Sequence, residues 1–295
     1  MFYGLISSFI GGISYGLIIS LLAGGLSLIY GVMQNVNTSH GAFYMLGGFV
    51  AFVISAYLKL PPAVTLVLTA VIMFMIGAGV LGLMIPAKLR ITTKPDDQNY
   101  VMIMMLAFAT FAEYLILELF GGGAVAAPSI LNGATLIVSN VYLTNQVILA
   151  AGISLSAYLI LFIFLKFTKT GKGIRAFTQN GEVARSIGID GQKLAFIVYG
   201  IGVMMAAVSG ALLASIYSVD SATGWNELVI AFVIVTFGGI GSVSGSLIGG
   251  LIYGIVYSIM LYYYPTYALV AVLVMIYALL VIKPTGLRGK IIERV

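Results

Sequence analysis

The chain has 295 residues, 61% of them hydrophobic and 8% charged, with a mean hydropathy of +1.13. Its apolar residues come in runs of about 20 broken by short polar stretches, as expected of helices crossing a hydrocarbon core of about 30 Å; a soluble helical protein would need polar faces that segments 66–85 and 195–216 lack. The absence of cysteine excludes a disulfide framework, a single histidine leaves little for a metal site or catalytic triad, and the net charge of +5 sits in loops rather than on a nucleic-acid-binding surface.

The first residues, MFYGLISSFIGGISYG, carry no basic n-region, the first Lys or Arg being Lys59, so targeting is expected from the first span itself. Spans are predicted over 13–33, 42–58, 63–87, 100–120, 146–167, 195–217, 228–237, 246–263 and 267–282. Some are short or broken by glycine, which gives an all-α, polytopic membrane protein of eight to ten transmembrane or half-membrane helices, in one domain over 1–295. Pro61, Pro62, Pro265 and Pro284 mark boundaries, since proline cannot donate to a preceding turn. Tyr217, Trp225, Tyr262, Tyr263 and Tyr264 fall at predicted outer ends, where amphipathic rings favour the membrane interface.

Basic residues gather in three places: Lys88, Arg90 and Lys94; Lys166, Lys169, Lys172, Arg175, Arg185 and Lys193; and Lys283, Arg288, Lys290 and Arg294. The segment 121–145 between the first two clusters has no Lys or Arg, and 218–227 carries only Asp220 and Glu227. This alternation places the basic loops and the C-terminus in the cytoplasm.

Two polar, glycine-containing interruptions fall in the two halves, YGVMQNVNTSHGAFYMLGG at 30–48 and FGGIGSVSGSLIGGLIYG at 237–254. Irregular backbone at membrane depth is tolerated where protein or a watery cavity satisfies its amides, so such paired breaks suggest a transport path; ordinary interfacial turns are the plainer reading. The break glycines of the second are Gly238, Gly239, Gly241 and Gly245. In the first, Asn35, Asn37, Thr38, Ser39 and His40 either cap a broken helix or touch a solute. Gly241, Gly245 and Gly249, like Gly202, Ala206, Gly210 and Ala214, recur every fourth residue and predict close helix contacts, within the chain or to a second subunit. Glu113 is the ionisable residue set deepest in a span, and fits either an interhelical hydrogen bond or a path-lining role; Glu118 is expected to face water near a helix end.

The loop TKTGKGIRAFTQNGEVARSIGIDGQK, 168–193, holds a large share of the few charges. Asn180 is a good N-cap, Glu182 suits the first turn of a helix dipole, and Gly188 stands where a C-terminal cap would, which predicts a two-turn helix between them. Val183 and Ile187 form one apolar edge, with Arg185 on another side. Alone, a helix this short is unstable, so a soluble partner with a groove is the economical explanation. TGKG lacks the first glycine and the Ser or Thr of a phosphate loop, so any ATP is bound by another chain.

Five pieces in order, GLSLIYGVMQNVNTSHGAFYMLGGFVAF, AEYLILELFG, GKGIRAFTQNGEVARSIGID, FGGIGSVSGSLIGG and KPTGLRG, resemble the LivH-type permease subunit of branched-chain amino acid ABC importers over nearly the whole chain. The resemblance implies that Glu182, Val183, Ala184, Arg185, Ile187 and Gly188, matching the family's E-x-A-x-x-x-G element, couple to an ATPase. It implies two ATP-binding cassette subunits holding ATP and magnesium, a second, non-identical permease, an extracytoplasmic substrate-binding protein docking near Asp220 and Glu227, and a prokaryotic plasma membrane. This chain would bind no cofactor, metal or nucleic acid and catalyse no reaction. Asn35, Asn37, His40 and Glu113 are the translocation-path candidates. Thr38 and Arg288 stand where the family often has aromatics. The competing readings are a permease for short amides or urea, a stand-alone ion-coupled transporter using Glu113, and an intramembrane enzyme with His40 as its only candidate residue.

Overall fold

In hydrocarbon a backbone must satisfy its own amides, and each apolar run accordingly folds as a helix. The structure, a computed structural model, describes residues 2–86, 89–91, 94–138 and 141–289; Lys88, Lys290 and Arg294 of the basic clusters lie outside these. In chain order come α1 (Phe2–Met33), α2 (His40–Tyr57), α3 (Pro62–Met84), α4 (Pro95–Phe120), the strands β1 (Ala134–Val138) and β2 (Val141–Thr144), α5 (Asn145–Phe167), α6 (Lys169–Gln179), α7 (Gly181–Ser186), α8 (Gly191–Ala214), α9 (Thr223–Gly238), α10 (Val243–Tyr263), a 3-10 turn (Pro265–Tyr267) and α11 (Ala268–Ile282). Among the described residues, eight helices are long and apolar enough to span a membrane, and α9 is a shorter apolar helix of 16 residues. The chain is an all-α, multi-pass membrane protein.

All nine predicted spans have a helix, with differences at their ends. The first begins at Phe2 instead of residue 13, because α10 runs antiparallel beside it and supports the extension: Gly4 sits at Tyr262, Gly12 at Gly254, Gly16 at Gly250 and Gly31 at Gly241. Two elements were not anticipated. The helix α6 precedes the predicted two-turn helix, and an antiparallel hairpin pairs Ala134 with Thr144. The hairpin is tied down by Gln146, whose Oε1 accepts from the Ile130 and Leu131 amides while its Nε2 donates to Ser215 Oγ at 2.5 Å.

The helix α1 is the axis of the molecule. It is 83% buried over its most apolar window, against 17% for the segment containing α11. Around it stand α8, α9, α10 and α5, with α2 against α8 and α9. Interhelical hydrogen bonds reinforce this: Ser209 Oγ on α8 donates to the Ile18 carbonyl at 2.8 Å, and Tyr158 on α5 donates to the Ser20 carbonyl at 2.5 Å. The outer helices α3, α4, α5 and α11 expose Val67, Phe111, Ile160 and Tyr277, as a surface facing lipid acyl chains should.

The small-residue stripes are used up inside the chain. Gly245 and Gly249 face α9 at Gly238 and Ile234, Gly202 meets Gly25 and Ile29 of α1, and Gly210 meets the Tyr44 backbone of α2. A second subunit is therefore not needed to explain them.

Basic residues collect at one end. Arg185 reaches the Ile91 carbonyl, Arg90 lies over the Phe196 ring at 4.5 Å, and the Arg288 amide donates to the Gly238 carbonyl. We call this the basic end and the opposite one, with the hairpin and Tyr262, the far end.

A β-carbon at position 16 would lie 2.6 Å from the Gly250 carbonyl oxygen. Gly16→Val is expected to force α1 and α10 apart and cost at least about 1–3 kcal/mol, read as a lower melting temperature of the purified protein. Gly152→Ala, at a position with open space around it, is expected to hold or gain about 0.5–1 kcal/mol in the same measurement.

Candidate functional site

The first break spans 34–39, where Gln34 adopts a φ of +56°. Asn37 turns the chain: its Oδ1 accepts from the Ser39 amide at 3.1 Å and from Ser39 Oγ at 2.6 Å. Met105 Sδ accepts from Ser39 Oγ at 3.3 Å and from the Tyr199 hydroxyl at 2.9 Å, which binds the break to α4 and α8. His40 opens α2, and its Nε2 lies 2.9 Å from the Leu22 carbonyl in the middle of α1. A carbonyl only accepts, so Nε2 carries the proton and Nδ1 is left with no partner. Asn35 Nδ2 reaches the Leu89 and Arg90 carbonyls at 3.4 Å each. Asn35, Asn37, Ser39 and His40 are all buried. Of the amide capping expected from the sequence, Asn37 supplies one bond, to the Ser39 amide, while Asn35 and His40 tie the break to carbonyls of 89–90 and α1.

The second break lies between α9 and α10. Gly239 and Gly241 have φ of +103° and +79°, a region that other residues enter at a cost. Ser242 caps α10, its Oγ accepting from the Gly245 amide at 3.1 Å. The chain after α11 folds back here, with the Leu287 and Arg288 amides donating to the Phe237 and Gly238 carbonyls at 2.9 Å. Gly238 and Gly245 face each other across the turn. The two interruptions are neighbours, because Gly31 at the end of α1 packs on Gly241, and Thr178 of α6 packs on Gly31.

The loop 168–193 is two capped helices. Thr168 accepts from the Gly171 amide to start α6, and Asn180 Oδ1 accepts from the Glu182 and Val183 amides at 3.0 Å to start α7. At the other end Gly188 takes a φ of +87°, and the Ile189 amide returns to the Ala184 carbonyl at 3.0 Å. Ala184 is buried and Arg185 lies over the Phe177 ring at 5.4 Å, so α7 is propped on its own protein. Val183 and Ile187, by contrast, are 57% and 71% exposed on one edge. Beyond it, Asp190 caps α8; hydrogen bonds from the Lys193 and Gln192 amides hold its carboxyl below the usual carboxylate range.

Glu113 on α4 accepts a 2.5 Å hydrogen bond from Trp225 Nε1 on α9. The residue thus makes the interhelical bond, and the gap beside it, lined by Thr38, Ala109 and Leu228, holds only about 10 Å³, room for at most about one water. Trp225 stands in the first turn of α9, at the far end, half-buried and hydrogen-bonded to α4. Glu118 is exposed, as expected.

The far end contains a chamber of about 400 Å³ between α1, α2, α8, α9, α10 and the start of α5. Its wall includes Tyr15, Tyr44, Tyr217, Tyr257 and Glu227 and none of Asn35, Asn37, His40 or Glu113. Glu227, expected to face a docking protein, instead lines this chamber, and its Oε2 is buried without a partner. Asp220 spends its Oδ1 on the Ala222 and Thr223 amides and the Thr223 hydroxyl. Sequence reasoning assigns Glu227 to docking instead of to the chamber because the predicted span starts at 228, five residues after α9 begins, and it does not single out Tyr15, Tyr44 and Tyr257 because they sit inside runs rather than at their ends. Tyr253 and Tyr257, four apart and stacked at 5.7 Å, carry the signal that was available. Among the described residues no group of His, Cys, Asp and Glu could hold a metal ion.

If the Glu113–Trp225 bond joins α4 to α9, Glu113→Ala should lower stability by about 1–3 kcal/mol and red-shift the emission of Trp225, the only tryptophan. Glu113→Gln, which keeps an acceptor oxygen, should stay close to the parent in both readings.

Comparison with known proteins gives a consistent result. Residues 8–282 match the family described as the permease component of branched-chain amino acid transport systems. The chain is 28% identical to the high-affinity branched-chain amino acid transport system permease protein LivH of Salmonella typhimurium over 95% of its own length and 94% of the relative's. The same figures hold for the LivH protein of Escherichia coli K12. A probable branched-chain amino acid transport permease protein LivH of Methanocaldococcus jannaschii is 28% identical over 95% and 91% of the two chains.

Proposed function

The chain belongs to the branched-chain amino acid transport permease family, and from that premise we propose that it is the membrane-spanning permease subunit of an ABC importer that moves branched-chain amino acids into a prokaryotic cell. The observation that carries the coupling half of this reading is α7. A helix of six residues, capped at both ends and supported from below by Ala184, presents Val183 and Ile187 to solvent at the basic end. An apolar edge held rigidly beyond the span ends is suited to a groove on a soluble protein.

In this reading the basic end, with the C-terminus, is cytoplasmic, and the N-terminus lies on the opposite side because α1 and α11 run in the same direction through an odd number of crossings. Two ATP-binding cassette subunits receive α7 and hold ATP and magnesium, while this chain binds no cofactor and catalyses no reaction. A second, non-identical permease completes the membrane part, and an extracytoplasmic binding protein delivers the solute to the far end. Closure of the ATPase pair pushes α7, with α6 moving as one unit through the Phe177 contacts. From α6, Thr178 bears on Gly31, where α1 meets the second break. The glycines there, Gly239 and Gly241, are the joint at which α9 and α10 can change their angle. Transport follows as alternating access, and 168–194 serves as the coupling loop of a single domain over 1–295.

A stand-alone ion-coupled transporter would need Glu113 free to exchange its ion, which the bond to Trp225 opposes, and would leave α7 without a task. A permease for short amides or urea shares the architecture and differs only in the solute.

The test is the pair Val183→Glu and Ile187→Glu in the complex purified from its own membrane. ATP-driven leucine uptake into vesicles is expected to fall at least tenfold with the melting temperature of this chain unchanged. Uptake at the parental rate would remove α7 from the coupling path and favour a transporter that works alone.

A further inference from the structure

The far-end chamber has a chemistry of its own. Glu227, in the second turn of α9, is the only charged residue among the described residues of its wall. Oε2 of Glu227 is shut off from solvent and accepts no hydrogen bond. A carboxylate in that condition is costly at membrane depth unless a cation or a donor completes it. The surrounding groups are tyrosines. Tyr15 and Tyr44 line the chamber and, with Tyr253 behind them, lie within electrostatic reach of the carboxylate. The Tyr15 and Tyr257 rings stand 6.0 Å apart at 32°, and Tyr253 stacks on Tyr257. Aromatic faces attract ammonium groups, most strongly where water is excluded. The rest of the wall is apolar, with Ile18, Leu213 and Ile216 among it. At about 400 Å³ the space falls within the range of about 300–1,000 Å³ typical of small-molecule sites.

We propose that Glu227 and the tyrosine rings beside it receive the α-ammonium of an amino acid in transit, and that Ile18, Leu213 and Ile216 take its branched side chain. The assignment rests on the permease reading above and adds to it a location and a selection rule. One fixed negative group, with no fixed positive group opposite, selects the amine end of the solute. The solute's carboxylate would meet only neutral groups, such as the Ser258 hydroxyl, since the Thr223 hydroxyl is already given to Asp220. An alkylamine should therefore satisfy the site and a 2-oxo acid should not. The site also lies within one chain, so it needs no residue of a second permease to be complete.

The experiment is radiolabelled leucine binding to the purified complex in lipid nanodiscs, without ATP or delivering protein. Glu227→Gln is expected to weaken leucine binding at least tenfold, while Glu118→Gln, at an exposed carboxylate of α4, leaves it unchanged. On the unsubstituted complex, 3-methylbutylamine should displace leucine and 4-methyl-2-oxopentanoate should not. Parental leucine binding by a folded Glu227→Gln complex, or displacement by the oxo acid as effective as by the amine, overturns the proposal; if Glu227→Gln does not fold, the displacement series alone decides. Failure of the permease reading looks different. The unsubstituted complex would then bind no leucine, yet its melting temperature would still rise with 3-methylbutylamine if the ammonium site is real. Response to neither compound ends the proposal.

Discussion

The structure depends on the backbone-to-backbone contact between α1 and α10. Inside a bilayer no hydrophobic force draws two helices together, since lipid tails solvate apolar side chains as well as a neighbour does. Close packing and interhelical hydrogen bonds must do it. Gly12, Gly16, Gly250 and Gly254 remove the side chains that would keep the two backbones apart, and the helices then run side by side for most of their length. With α1 fixed in the middle, Ser209 and Tyr158 add hydrogen bonds from α8 and α5 to its carbonyls. The remaining helices take their positions from these.

A consequence is mechanical. Near the far end α1 carries Gly11, Tyr15 and Ile18 on the chamber wall, and at the basic end it carries Gly31 against Gly241 and Thr178. One helix of 32 residues thus touches the chamber, the second break and the loop that presents α7. A displacement at the basic end has a continuous element through which to reach the chamber. Both helices that meet at the second break also reach the chamber, α10 through Tyr257 and Ser258 and α9 with Glu227 in its second turn and Gly238 at its end, and α9 is the shorter of the two. Its shortness, and the glycines that follow, make it the helix of the central group best able to tilt.

Polar groups inside the membrane divide into two kinds by what they touch. Asn37, Ser39 and His40 spend their hydrogen bonds on backbone and neighbouring side chains, because the chain between α1 and α2 has left helical geometry and its loosened groups need partners. Glu113 spends its charge on Trp225. Asn35, Asn37 and His40 also keep one buried atom each without a partner, but Glu227 differs from them in lining the chamber. Burial by itself does not separate a structural polar residue from a functional one; an unmet hydrogen bond facing open space does.

Composition and local pattern were enough to determine the membrane class, the existence of nine apolar helices and the short helix at 181–186, because hydrocarbon permits few backbone choices and because Asn180 and Gly188 write their caps locally. The family was equally legible, since its motifs are contiguous in the chain. The first eleven residues of α1 were not, as their glycines and serines read as weak until α10 is laid beside them. Nor were the partners of Glu113 and His40, which lie 112 and 18 positions away along the chain, respectively. Above all the chamber belongs to the tertiary structure. Tyr15, Tyr44, Glu227 and Tyr257 sit on four different helices, and nothing in the sequence near any one of them says that the other three are there; only the close packing of glycine on glycine brings those helices to one place.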